Sequence, residues 1–230
     1  MKHIVITGAS KGIGFQIANY LSKNNKFKIF NISRSNSKNR KILDYNCDIS
    51  DYDDVKKTFD KIKKIDVLIN NAAISDFSKN KIENFEKIIK TNLNGSFYCS
   101  YEAVKKLKKN KEACIINISS INAYMGFPNN PGYVSSKGAL LSLTRSLALD
   151  YAKFGIKVNS ISPGYIKSGM SITSYKNQKK RMTRQQRTMV NKWGEPKDLF
   201  GAIEFLISNK SSYINAQDII IDGGWKSKGL

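Results

Sequence analysis

The sequence predicts a doubly wound α/β domain, a seven-stranded parallel sheet between two layers of helices, with residues 1–230 as one unit. Three observations carry this expectation. Short runs rich in Ile, Val and Leu alternate along the chain with longer amphipathic stretches, the pattern of strand, crossover helix and parallel strand. The apolar runs are near-continuous rather than alternating, as strands covered on both faces must be. The chain of 230 residues, 40% hydrophobic, is long enough for one sizeable core and shows no linker, repeat or low-complexity segment.

The elements follow in order. Residues 3–6 read as the first strand and 12–22 as the first helix. Strands follow at 27–32 and 43–47, then a helix over 51–63 with Ser50 as its expected N-cap. The fourth strand is 66–69, and residues 82–109 carry one long helical periodicity. A fifth strand at 113–118 precedes a long helix over 132–154 and a sixth strand at 156–161. The last helix, 195–207, has Pro196 in its first turn, and 219–221 closes the sheet. The least regular stretch, 168–193, is polar and basic and reads as a lid.

Composition narrows the classes. No apolar run approaches the roughly 20 residues that span a bilayer, and the chain passes from its first residue straight into a strand with no signal-peptide pattern. A cytoplasmic protein with no membrane association is the expectation. Cys47, Cys99 and Cys114 have neither metal-ligand nor disulfide spacing, and His3 is the one histidine, so no metal site is indicated. The formal net charge is +21, with lysines in every segment. No aromatic RNA motif or recognition-helix pattern accompanies that charge, so no nucleic-acid partner is expected. Its distribution says more than its total: no Asp or Glu occurs in residues 1–43 or 151–194.

Three motifs carry chemistry. Thr7-Gly8-Ala9-Ser10-Lys11-Gly12-Ile13-Gly14 lies between the first strand and the first helix. Glycines there let the backbone approach a pyrophosphate, and the helix N-terminus offers free N–H groups. The spacing departs from the common G-x-G-x-x-G pattern, but its place after strand one marks a dinucleotide loop of the Rossmann type. Sites for NAD place an acid about 20 residues after the glycines. Here that zone reads Asn31-Ile32-Ser33-Arg34-Ser35 and holds none. Arg34 and Lys11 are instead placed to meet a 2′-phosphate, so NADP(H) is expected over NAD(H). Finally, Tyr133 and Lys137 stand four apart on a predicted helix and share one face. An ammonium beside a phenol is expected to lower its pKa from about 10 and prepare it for proton exchange with a carbonyl or alcohol oxygen.

The chain as a whole resembles the short-chain dehydrogenase/reductase family in its compact branch, and in pattern and size is similar to 3-oxoacyl-carrier-protein reductases. The glycine loop carries the resemblance together with three further motifs in register. Asn70-Asn71-Ala72-Ala73 resembles the family's Asn-Asn-Ala-Gly, with Ala73 for glycine. Tyr133-Val134-Ser135-Ser136-Lys137 resembles its active-site signature, and Pro163-Gly164-Tyr165-Ile166-Lys167-Ser168 its turn over the nicotinamide. The resemblance implies Tyr133 as catalytic acid or base, Lys137 as its tuner and ribose contact, Asn92 as a proton-relay residue, and Ser120 as the hydroxyl on the substrate oxygen. Ser119 is the rival for that last role, and a spacing of thirteen residues before Tyr133 favours Ser120. Cofactor contacts are implied for Gly8, Ser10, Lys11, Gly12, Ile13, Gly14, Ser33, Arg34, Asp48, Ile49, Asn70, Ala72, Tyr133, Lys137, Pro163, Gly164, Ile166 and Ser168.

The implied function is NADP(H)-dependent hydride transfer between a carbonyl and a secondary alcohol. Lys176, Lys179, Lys180, Arg181, Arg184 and Arg187 on the lid favour an anionic or carrier-linked substrate. A sugar or nucleotide-activated sugar is the alternative substrate, and an NADP(H)-sensing module the non-enzymatic alternative, although such a module has no need of the Tyr/Lys pair. A homotetramer or homodimer, built through the two long helices, is implied by the resemblance alone.

Overall fold

The computed structural model describes residues 1–76, 82–110 and 112–228. Its centre is a seven-stranded sheet, parallel throughout, in the order β3-β2-β1-β4-β5-β6-β7. The strands are β1 (Lys2–Thr7), β2 (Phe27–Ser33), β3 (Ile42–Asn46), β4 (Val67–Asn70), β5 (Cys114–Ile118), β6 (Lys157–Pro163) and β7 (Asp218–Ile221). The chain runs outward through β2 and β3, then returns to place β4 on the other side of β1. That reversal opens a crevice at the carboxyl ends of β1 and β4, where doubly wound proteins take their ligands.

Alternate residues of each strand feed the two faces of the sheet. Val5, Phe30, Ile32, Leu68, Ile115 and Val158 pack on one side with Phe59, Leu107 and Leu147. Ile4, Ile6, Ile29, Ile69, Ile116 and Ile161 pack on the other with Ile17, Leu21, Ile203 and Leu206. The first helical layer is α2 (Tyr52–Asp60), α4 (Gly95–Leu107) and α5 (Pro131–Ala152). The second is α1 (Gly12–Leu21) and α8 (Phe200–Ile207). Near-continuous Ile/Val strands follow from burial on both faces.

Three local expectations are corrected. Asp51, not Ser50, caps α2: its Oδ1 accepts from the N–H groups of Asp53 and Asp54 at 2.9 and 3.1 Å. The hydroxyl of Ser50 is already donated to Asp48 Oδ1 at 2.8 Å. Residues 82–109 are not one helix but α3 (Ile82–Ile89), a π-turn over Lys90–Asn94, and then α4. The wider turn goes with the side chain of Asn92, which reaches back to the main chain of Ile74. The last predicted helix begins as a 3-10 turn, Pro196–Leu199, whose start is fixed by Glu195 N–H donating to Asp198 at 2.7 Å.

The basic stretch expected as a lid forms a 3-10 turn (Gly169–Ser171), α6 (Ile172–Lys176) and α7 (Gln178–Gln186), none of whose residues is fully buried. Among the described residues no helix is long and apolar enough to cross a membrane.

Candidate active site

A cleft of about 570 Å³ runs along the carboxyl ends of the central strands, from the loop after β1 to the basic segment after β6. Its floor at one end is the glycine loop. Gly8 has φ +68°, and a Cβ there would fall 2.8 Å from the Cα of Ala72. Only glycine lets the two loops after β1 and β4 touch. A Cβ on Gly14 would fall 2.6 Å from the carbonyl oxygen of Gly8. Thr7 Oγ1 accepts from the N–H groups of Asn71 and Ala72, each at 3.0 Å, and Asn71 Nδ2 donates to the carbonyls of Thr7 and Gly8. The loop is thus braced before any ligand arrives. α1 has no acid in its first turn and no side-chain cap, which leaves its N-terminal N–H groups for an anion. These features fit a dinucleotide pyrophosphate.

Ser10, Lys11, Gly12, Ile13, Ser33, Arg34, Asp48, Ile49, Ala72, Pro163, Gly164 and Ser168 line the cleft along with Gly8, and so do Ser120, Tyr133 and Lys137. Ser35 Oγ donates to Ser10 Oγ at 3.0 Å, tying the end of β2 to the glycine loop. Asp44, the first acid in the chain, is engaged: it accepts from Asn31 Nδ2 at 2.7 Å, from Ser37 N–H at 2.9 Å and from Ser37 Oγ at 3.1 Å. Burial would raise the carboxyl of Asp48, but two hydrogen bonds from Ser50 and the charges of Arg34 and Lys90 hold it below its ordinary value. Ala73 lines the cleft without a left-handed backbone, so alanine stands in the glycine position without strain.

Four of the sequence candidates do not line the cleft. Asn70 is buried beneath it and donates to Ser100 Oγ and Asn117 Oδ1, both at 2.9 Å. Gly14 packs against Asn71, and Ile166 is buried beside Gly194. Asn92 accepts from Ile74 N–H at 2.8 Å and donates to Ile74 O at 2.9 Å and Ser136 Oγ at 3.1 Å, which holds the loop after β4 against α5. Asn71 and Tyr165 line the cleft although neither was singled out. Asn71 was hidden by its identical neighbour, and Tyr165 by its place inside the Pro-Gly turn.

The first turns of α5 present Tyr133 and Lys137 to this cleft, with Pro131 opening the helix. Ser120 caps the short turn after β5 and accepts from Asn122 N–H at 3.1 Å. Ser119 also lines the cleft, but it is buried and its hydroxyl is donated to the main-chain carbonyl of Lys137. The electrostatics differ from the expectation. Burial pushes the Tyr133 phenol above its ordinary value, a hydrogen bond with Ser120 lowers it, and nearby Tyr165 raises it. Lys137 is turned to the backbone instead. Its ammonium lies 5.7 Å from the Tyr133 ring centre and donates to the carbonyl of Ile118 at 2.7 Å. Only 3% of Lys137 is exposed, and burial pushes its pKa down to about 8. The helical spacing does bring the pair to one face, but burial is what moves both groups most.

A braced glycine loop at the switch point of a doubly wound sheet, with a protonated phenol further along the same cleft, defines an oxidoreductase that works with a nicotinamide dinucleotide. Residues 8–226 match a family model described as enoyl-(acyl carrier protein) reductase. The 3-oxoacyl-acyl-carrier-protein reductase of Rickettsia felis is 37% identical over 235 residues, covering 97% of this chain and 96% of that protein. A 4-hydroxyisoleucine dehydrogenase complexed with NADH matches with a TM-score of 0.94 at 30% identity, covering 100% of both chains. A gluconate 5-dehydrogenase from Burkholderia cenocepacia, in complex with NADP and tartrate, matches with a TM-score of 0.93 at 25% identity, covering 99% of this chain and 96% of that one. The chain belongs to the short-chain dehydrogenase/reductase family, enzymes that interconvert a carbonyl and an alcohol.

Proposed function

We propose that this enzyme is an NADP(H)-dependent reductase of the 3-oxoacyl-thioester type, with residues 1–230 as one catalytic domain and 168–193 as its lid. The observation that carries the reading is the phenol of Tyr133, kept protonated by burial and hydrogen-bonded to Ser120 within the cleft that begins at the glycine loop. The nicotinamide supplies hydride to the carbonyl carbon when bound. Tyr133 donates its proton to the carbonyl oxygen as negative charge builds there, and Ser120 orients that oxygen by hydrogen bonding. Lys137, anchored to Ile118, holds the ribose side of the cofactor. Asn92 acts by positioning, since its side chain is spent on Ile74 and Ser136.

Two features support NADP(H). Arg34 and Lys11 are exposed on the rim of the cleft, and Asp44 is turned into contacts with Asn31 and Ser37. The named relative supports a thioester-linked 3-oxoacyl substrate. Exposed Phe97 and Tyr101 on α4 and Leu149 on α5 support pairing of copies through these two helices into a dimer or tetramer. Three buried unpaired cysteines support a reducing compartment, the cytoplasm. The test compares NADPH with NADH as reductant for acetoacetyl thioesters, keto-sugars and simple ketones. Higher kcat/KM with NADPH and with thioesters is expected. Better use of NADH overturns the cofactor assignment, and turnover confined to keto-sugars overturns the substrate assignment.

A further inference from the structure

The lid helix α7 meets the body of the protein through cations on rings. Arg181, Arg184 and Arg187 stand over Tyr175, Tyr165 and Trp225 with guanidinium-to-centroid distances of 5.4, 4.4 and 5.2 Å. Of the three, only Arg184 lines the catalytic cleft. Its Nη1 is buried yet has no hydrogen-bond partner among the described residues. The stretch that carries it, residues 151–194, contains no Asp or Glu. Beyond that stretch, Glu195 pairs with Lys197, and Asp222 accepts from the N–H groups of Gly224 and Lys226. A buried N–H without an acceptor is costly unless a ligand completes it.

The geometry also limits the ligand. Arg184 lies over the Tyr165 ring and hydrogen-bonds that residue, which leaves Nη1 as the donor open to a ligand. A carboxylate oxygen matches that donor, accepting a charge-assisted hydrogen bond from it. Tyr165 is close enough to Tyr133 to act on its phenol, so the anion would sit near the carbonyl being reduced rather than at the far end of a long carrier arm.

We propose that Arg184 is a specificity-determining residue that binds a carboxylate on the substrate itself, so that the cleft also reduces short oxo acids with the acid group free. The proposal rests on the carbonyl chemistry assigned to Tyr133 and is independent of the thioester reading. The chemistry is unchanged: hydride passes to the carbonyl carbon, the Tyr133 proton to its oxygen, and the carboxylate stays bound and unreacted.

The test measures kcat/KM with NADPH for a panel of short oxo acids, from pyruvate through levulinate, each beside its ethyl ester. The wild-type protein is expected to favour at least one acid over its ester by about ten- to a hundredfold, the range of a charge-assisted hydrogen bond. Arg184→Gln is expected to collapse that acid-to-ester ratio toward one, and Arg184→Lys to restore part of it. Titration calorimetry of the NADPH-loaded protein with the corresponding hydroxy acids and their esters reads the same subsite without turnover, so it stands even if the thioester or carbonyl assignment fails. Equal or weaker binding of every acid than of its ester, or an acid preference that survives Arg184→Gln, overturns the proposal.

Discussion

The hydroxyl of Ser119 donates to the main-chain carbonyl of Lys137 at 3.0 Å. This contact ties the end of β5 to the second turn of α5. Both adjacent serines line the cleft, but the Ser119 hydroxyl is spent on the backbone while Ser120 is hydrogen-bonded to the Tyr133 phenol. Ser119→Ala is therefore expected to lower stability by about 1 kcal/mol while retaining most of kcat. Ser120→Ala should leave stability near wild type and cut kcat by roughly 10²- to 10³-fold, as loss of an oriented donor does. Urea denaturation and steady-state rates on both variants check this, and the reverse pattern would exchange the assignments.

Tyr133→Phe should reduce turnover by at least about 10²-fold while NADPH still quenches the protein's tryptophan fluorescence. The pH profile carries a second expectation. Burial first, and then Tyr165, hold the phenol up, and the Ser120 hydrogen bond lowers it. The reduction rate should stay level through neutral pH and fall only at alkaline pH, with Ser120→Ala moving that limb to higher pH. A limb that moves downward in this variant contradicts the assigned contact.

Lys137 links burial to stability. Its pKa falls from 10.5 to about 8 on folding. Below about 8 both folded and unfolded chains hold the proton, and the cost of burying the charge is present in full. Between 8 and 10.5 the unfolded chain binds the proton that the folded one has released, so stability rises with pH. Lys137→Met removes that cost, on the order of 3 kcal/mol at neutral pH. The stability gap between variant and wild type should then narrow as pH rises through this window. Urea midpoints for both proteins across the window measure it, and parallel curves would refute it.

At Gly8 an alanine must adopt a left-handed backbone, costing about 1–2 kcal/mol, and must also push against the Cα of Ala72. Gly8→Ala should abolish NADPH binding and lower the melting temperature. A variant that binds NADPH normally would show that the two loops can separate.

Arg34 is exposed on the cleft rim and free to turn toward a 2′-phosphate. Arg34→Ala should raise KM for NADPH about tenfold or more, the range of a charge-assisted contact, with little change for NADH. Equal effects on both cofactors would place Arg34 on the shared pyrophosphate.

Much of this enzyme was legible from local pattern alone. The strands announce themselves as continuous Ile/Val runs because both faces of the sheet are buried, and the order of strand, glycine loop and helix follows from backbone geometry near Gly8 and Gly14. The spacing of Tyr133 and Lys137 follows from the helical repeat. What tertiary structure decided concerns residues that meet from far apart in the chain. The π-turn at Asn92 requires Ile74, eighteen residues earlier. The pKa of Lys137 falls on burial, with its ammonium held on the carbonyl of Ile118 nineteen residues away, and the Tyr133 phenol is moved up rather than down. Nη1 of Arg184 becomes an unanswered donor only once α7 has laid the side chain on Tyr165. Periodicity follows from the repeat of the backbone and so can be read along one dimension. Desolvation and pairing depend on which distant groups arrive beside a charge, and folding alone determines that.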